Sequence, residues 1–147
     1  MALLQWRAAY NESLRKSTKK DSARARYLTW ESAWLPLWKS EVDITYRLQK
    51  SVLAKGGPAQ GAGFVRELLA LQAKAAAVPA ASELESLQEV ALRRLTLLAR
   101  TAEQLDRLGR GESRGAVTRV RRLSKDLTGL AEQLQDQRLA MLKAIAH

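Results

Sequence analysis

The sequence predicts an all-α protein, an antiparallel bundle of four to five helices forming one domain over residues 1–147. Alanine, leucine and arginine dominate and there are only three prolines, which is a helix-forming composition. Aromatic residues make up 5% and β-branched residues are few, so little is present from which to build a sheet. Apolar residues recur every three to four positions in several segments separated by glycine and proline. With 46% hydrophobic and 27% charged residues, a chain this long buries a real core.

Residues 2–17 read as a short amphipathic helix, with Leu3, Trp6, Tyr10 and Leu14 at helical spacing on the stripe expected to face the core. The stretch 15–26, RKSTKKDSARAR, carries a net charge of +5 and has almost nothing to bury. It reads as a loop, a hinge or an exposed length of one long helix. Asp21 or Ser22 is placed to cap a new helix start.

The next helix runs over about 22–55 and stops at Gly56-Gly57-Pro58, within the loop GGPAQGAG of residues 56–63. A helix over about 63–77 follows, with Phe64, Leu68, Leu71, Ala75 and Val78 on its stripe and Pro79 as its stop. Ser82-Glu83-Leu84-Glu85 has the form of a capping box. It opens a helix over 82–108 that buries Leu84, Leu87, Ala91, Leu95, Leu98, Ala102, Leu105 and Leu108. The last helix, about 113–146, repeats Val120, Leu127, Leu134 and Met141 every seventh residue, with Leu123, Leu130 and Ala144 offset and Gln137 as the polar exception. Tight turns between such helices give an antiparallel bundle.

The segment TWESAWLPLWK, residues 29–39, holds Trp30, Trp34 and Trp38. An advance of four residues rotates by only about 40° on a helix, so the three indoles share one face. Together with Leu28, Leu35, Val42 and Tyr46 they make an apolar arc of more than half the circumference. A helix of this kind needs neighbours on several sides, within this chain or in a partner. Pro36 falls on the opposite, polar face, where a kink is tolerated. Trp30, Trp34 and Trp38 are therefore candidates for the core or for docking a partner. Glu41 projects onto the middle of the same stripe, where a carboxylate is expensive unless paired, and calls for an arginine from another helix or an opening to water.

Much chemistry is excluded. There is no cysteine, so no disulfide, thiolate nucleophile or thiolate metal site. The only histidine is His147, which leaves no serine or cysteine triad and no Glu-x-x-His pair for a di-iron site. GGPAQGAG lacks the lysine and preceding strand of a phosphate cradle. No catalytic residue, cofactor or metal is expected, and the chain is read as a non-enzyme.

The net charge of +10 points to an acidic partner, nucleic acid or protein. The first cluster of candidate contacts is Arg15, Lys16, Lys19, Lys20, Arg24 and Arg26. The second is Arg114, Arg119, Arg121, Arg122 and Lys125, within a stretch, 107–125, of net charge +6. Several of these crowd the start of a helix, where the dipole favours acids. The expected function is a helical-bundle binding protein whose basic surface meets that partner. A second expectation is a subunit of a homo- or hetero-oligomeric assembly, docking through residues 27–53.

Residues 1–7 lack the basic start and apolar core of a signal peptide, and no apolar run spans a membrane, so a cytoplasmic location is expected. The order from Pro79 onward is a proline turn, the Leu84–Leu108 helix, the turn Arg110-Gly111-Glu112 and a final helix. It is similar to that of bacterial lipoprotein bundles, though generic to helical hairpins and without a lipobox cysteine. That resemblance implies the alternative of an extracytoplasmic bundle domain, structural or ligand-binding.

Overall fold

The computed structural model describes residues 2–20, 22–53, 61–112 and 114–145. Five α-helices occupy them: α1 (Ala2–Ser17), α2 (Ala23–Leu53), α3 (Gly61–Ala76), α4 (Glu85–Gly109) and α5 (Ala116–Ile145). A single 3-10 turn, Ser82–Leu84, precedes α4. No strand occurs among the described residues. Met1, Asp21, residues 54–60 with the expected stop at Gly56-Gly57-Pro58, Ser113, Ala146 and His147 lie outside them.

Each helix runs antiparallel to the next. Arg7 of α1 pairs with Glu31 of α2, Arg47 of α2 with Glu67 of α3, Gln72 of α3 bonds Thr96 of α4, and Arg119 of α5 bonds Gln104 of α4. The core is continuous through α2, α3, α4 and α5. Tyr27, Trp30 and Trp34 are its largest fully buried side chains, with Leu68, Leu84 and Leu95. Helix α2 passes unbroken through Pro36, which faces solvent. Ser22 caps α2, its Oγ accepting from the Ala25 N–H at 3.1 Å.

Five expectations change. Helix α1 does not bury its aromatic stripe: Leu3, Trp6 and Tyr10 are 71, 63 and 50% exposed. The side that docks carries Leu4, Arg7, Asn11 and Leu14 instead, because Arg7 and Asn11 reach a buried carboxylate of α2, Glu31. The wide arc of α2 is likewise open at its rim, where Val42 and Tyr46 are exposed.

The capping box is not formed. No side-chain bond caps Ser82–Leu84 or α4, and the entry is tightened by the Leu84 N–H bonding the Ala81 carbonyl at 2.8 Å. Gly61-Ala62-Gly63 belongs to α3, not to the loop, since the Ala62 N–H is capped from another helix by Asp106 Oδ1 at 3.1 Å. Finally, α5 starts at Ala116, because Gly115 before it has φ +72°, outside helical space.

Candidate functional site

The two basic clusters fall at opposite ends of the bundle. Arg26 pairs with Glu83 at the start of α4, whereas Arg119 bonds Gln104 near its end. The 25 residues of α4 separate them by about 37 Å at ~1.5 Å per residue. The two clusters therefore lie apart, and each end has its own cleft.

The larger cleft measures ≈ 710 Å³ and lies between the α1–α2 link and the α3–α4 link. Arg15, Lys16, Lys20 and Arg26 line it from one side, and Pro79, Ala80 and Leu84 from the other. Its floor reaches Trp30, whose indole N–H is already engaged with Gln88 Oε1 at 2.8 Å. Arg15 pairs with Glu12 at 2.9 Å. Lys16 and Lys20 make no ion pair among the described residues and are exposed. Lys19 and Arg24 do not line this cleft. The cluster forms because α1 ends at Ser17 and α2 begins at Ala23, so one short link carries both helix ends to the same corner.

The opposite cleft measures ≈ 420 Å³ and is lined by Arg107, Gly111, Glu112, Arg114 and Arg119. Arg119 has a structural task there: its Nε–H donates to Gln104 Oε1 at 2.6 Å and its terminal nitrogen to the Arg114 carbonyl at 3.3 Å. Arg107 pairs with Glu103. Arg121, Arg122 and Lys125 stand exposed on α5, outside that cleft.

The tryptophans stack inside the protein. Trp30, Trp34 and Trp38 are 2, 0 and 8% exposed, with ring centroids 5.6–6.0 Å apart. Trp30 and Trp34 both donate to Gln88 Oε1, and Gln88 Nε2 donates to the Val78 carbonyl at 2.9 Å. Glu41, 3% exposed, meets Arg94 of α4 at 2.9 Å. Burial raises its carboxyl above the usual range, and Arg94 pulls it back.

A second buried carboxylate escapes the sequence reading. Glu31 is 3% exposed and accepts from Arg7, from Arg138 at 2.7 Å, from the Tyr27 hydroxyl at 2.9 Å and from Asn11 Nδ2 at 2.6 Å. Its position three residues after Leu28 and four before Leu35 places it on the inner face, which is the signal available in the sequence. Its partners lie 20 to 107 residues away, apart from Tyr27, and no local pattern marks them.

Fold and clefts together define a five-helix bundle with positively charged ends. Among the described residues no group of histidine and carboxylates could hold a metal ion, and no helix is long and apolar enough to cross a membrane. No protein-family model, curated protein or solved structure matches the chain.

Proposed function

We propose that the protein is a non-enzymatic binding module whose basic end, Arg15 to Arg26, receives an acidic partner, a nucleic acid backbone or an acidic protein segment. The convergence of Arg15, Lys16, Lys20 and Arg26 on one cleft supports this reading. Lys16 and Lys20 have no carboxylate partner among the described residues, so their charge is free to meet an outside anion. Trp30 is too buried to stack on a base, so contact is with phosphate or carboxylate charge and carries little sequence preference.

Fluorescence anisotropy against labelled single-stranded DNA, duplex DNA and polyglutamate, at rising salt, tests it. Binding to at least one polymer should weaken steeply with salt, and Lys16→Glu with Lys20→Glu should weaken it by roughly tenfold or more and reduce the salt slope by about one per lysine. Absence of binding at low salt, or binding indifferent to salt, would sink the proposal.

One observation favours a second reading, a subunit of a larger assembly. Leu3, Trp6 and Tyr10 present an uncovered flank of α1, and the Trp6 and Tyr10 rings stack at 5.3 Å. The docking face is then on α1 and not on the tryptophans of α2. Light scattering over a concentration series decides whether the chain self-associates; a monomer throughout counts against a homo-oligomer.

A further inference from the structure

A third cleft, of ≈ 320 Å³, lies where α1, α2, α4 and α5 meet. Its walls bring together three guanidinium groups, those of Arg7, Arg94 and Arg138. The floor is Trp38, Glu41 and Leu134, all under 9% exposed. The rim is Leu3 and Val42, 71 and 47% exposed. The cleft thus deepens from an apolar mouth, between arginine walls, to a base that includes the Glu41 carboxylate.

The charges at that base do not balance. Among the described residues Arg7, Arg94 and Arg138 pair with the carboxylates Glu31 and Glu41, and Arg138 also donates to Gln135 Oε1 at 3.4 Å. Glu31 is heavily used: its Oε1 accepts from Arg7, Tyr27 and Arg138, and its Oε2 from Asn11. Arg7 and Arg138 share the same oxygen, Oε1. Both guanidiniums also lie over the Trp38 ring, each 5.4 Å from its centroid. The Nε of Arg138 is buried and has no acceptor among the described residues. Three guanidinium groups, 18, 32 and 14% exposed for Arg7, Arg94 and Arg138, therefore meet two carboxylates, an excess of one positive charge. Burial lowers the Arg7 pKa, and Tyr27 works against that shift.

We propose that this cleft binds a small organic carboxylate bearing an apolar chain. The carboxylate head engages the Arg7, Arg94 and Arg138 donors over Trp38. The chain lies against Leu134 and the rim residues Leu3 and Val42. A single negative charge closes the balance of three cations against two anions. The planar fork of guanidinium matches carboxylate geometry. The volume is at the small end of ligand clefts, about 300–1,000 Å³, and suits a ligand of this size. The site is separate from the Arg15–Arg26 cleft and stands or falls independently of it.

Calorimetric titration of the full chain with hexanoate, hexanamide and inorganic phosphate tests the assignment. Hexanoate should bind with a Kd of about 1 mM or tighter, and hexanamide and phosphate at least tenfold more weakly. Gln135→Glu and Leu3→Glu add a carboxylate at exposed positions lining the cleft, and each should weaken hexanoate by roughly tenfold. Unchanged circular dichroism and melting would show that both variants fold. Lys16→Glu with Lys20→Glu should leave hexanoate binding unaltered. No saturation by hexanoate, equal binding of hexanamide, phosphate binding as tight as hexanoate, or indifference to both cleft variants would each overturn the proposal.

Discussion

Glu31 ties three helices together through one side chain. Its donors come from α1, α2 and α5, and two of them, Arg7 and Arg138, are 18 and 14% exposed. Removing one member of a buried ion network leaves charge without a counter-charge, at a cost of about 3–5 kcal/mol. Glu31→Gln should therefore lower the stability by that amount, read as a shift of the urea midpoint at constant slope. A loss below about 1 kcal/mol would mean that water already screens the arginines. Glu41 makes the stability depend on pH. Its folded-state pKa lies above the ordinary value of 4.5, so the folded form binds this proton more tightly than the unfolded chain. Its contribution to stability is complete below pH 4.5 and is lost as pH rises through the folded pKa. Glu41→Gln should remove that loss, flattening the plot of urea midpoint against pH above 4.5 relative to the parent. A parallel pair of curves would refute it.

At the scale of elements, the ends of α3 and α4 depend on each other. Gly61 opens α3 against Asp106 of α4, and a Cβ at Gly61 would stand 2.6 Å from the Asp106 Cα. The same aspartate caps the Ala62 N–H and pairs with Arg110. Gly61→Ala should therefore push the helices apart and cost about 1–3 kcal/mol. Gly63→Ala, with nothing within 4 Å, should be neutral or stabilise by up to ~1 kcal/mol through helix propensity. Thermal unfolding of the two variants, side by side, separates packing from propensity; equal melting temperatures would show that Gly61 is not needed for close approach. Gly111, with φ +81°, ends α4 in the expected manner, and the Glu112 N–H bonds the Arg107 carbonyl at 2.9 Å. Helix α1 shows how an element is re-aimed by its neighbour. Its apolar stripe was evident from spacing, yet the helix turns to deliver Arg7 and Asn11 to Glu31 and leaves Trp6 outside. A stranded carboxylate costs more than an exposed aromatic face.

For the whole molecule, the alternation of helix directions sends the two arginine-rich segments to opposite ends. Each should then bind anions on its own. Arg121→Glu with Arg122→Glu should lower polyanion affinity by a factor independent of whether Lys16 and Lys20 are present, and strong coupling between the two pairs would imply one continuous surface.

The sequence by itself determined the all-α class, a bundle of four to five helices, most of their bounds and the inner faces of α3 and α4; of the α5 seam only Leu130 and Leu134 are buried, and Ala144 is exposed. Composition and a period near 3.6 are local properties, and burial follows them closely: the predicted stripe of α3 is buried from Phe64 to Ala75, as is that of α4 from Leu84 to Ala102. It also marked Glu41 as a carboxylate needing a partner. Only the tertiary structure decided which way α1 faces, that Glu31 is buried, and that Arg7, Arg94 and Arg138 meet over Trp38. It also separated the basic clusters that lie together in composition. These outcomes depend on pairing between side chains far apart in the chain. A polar residue on an inner face says that a partner is required, and only the packed helices say which one arrives.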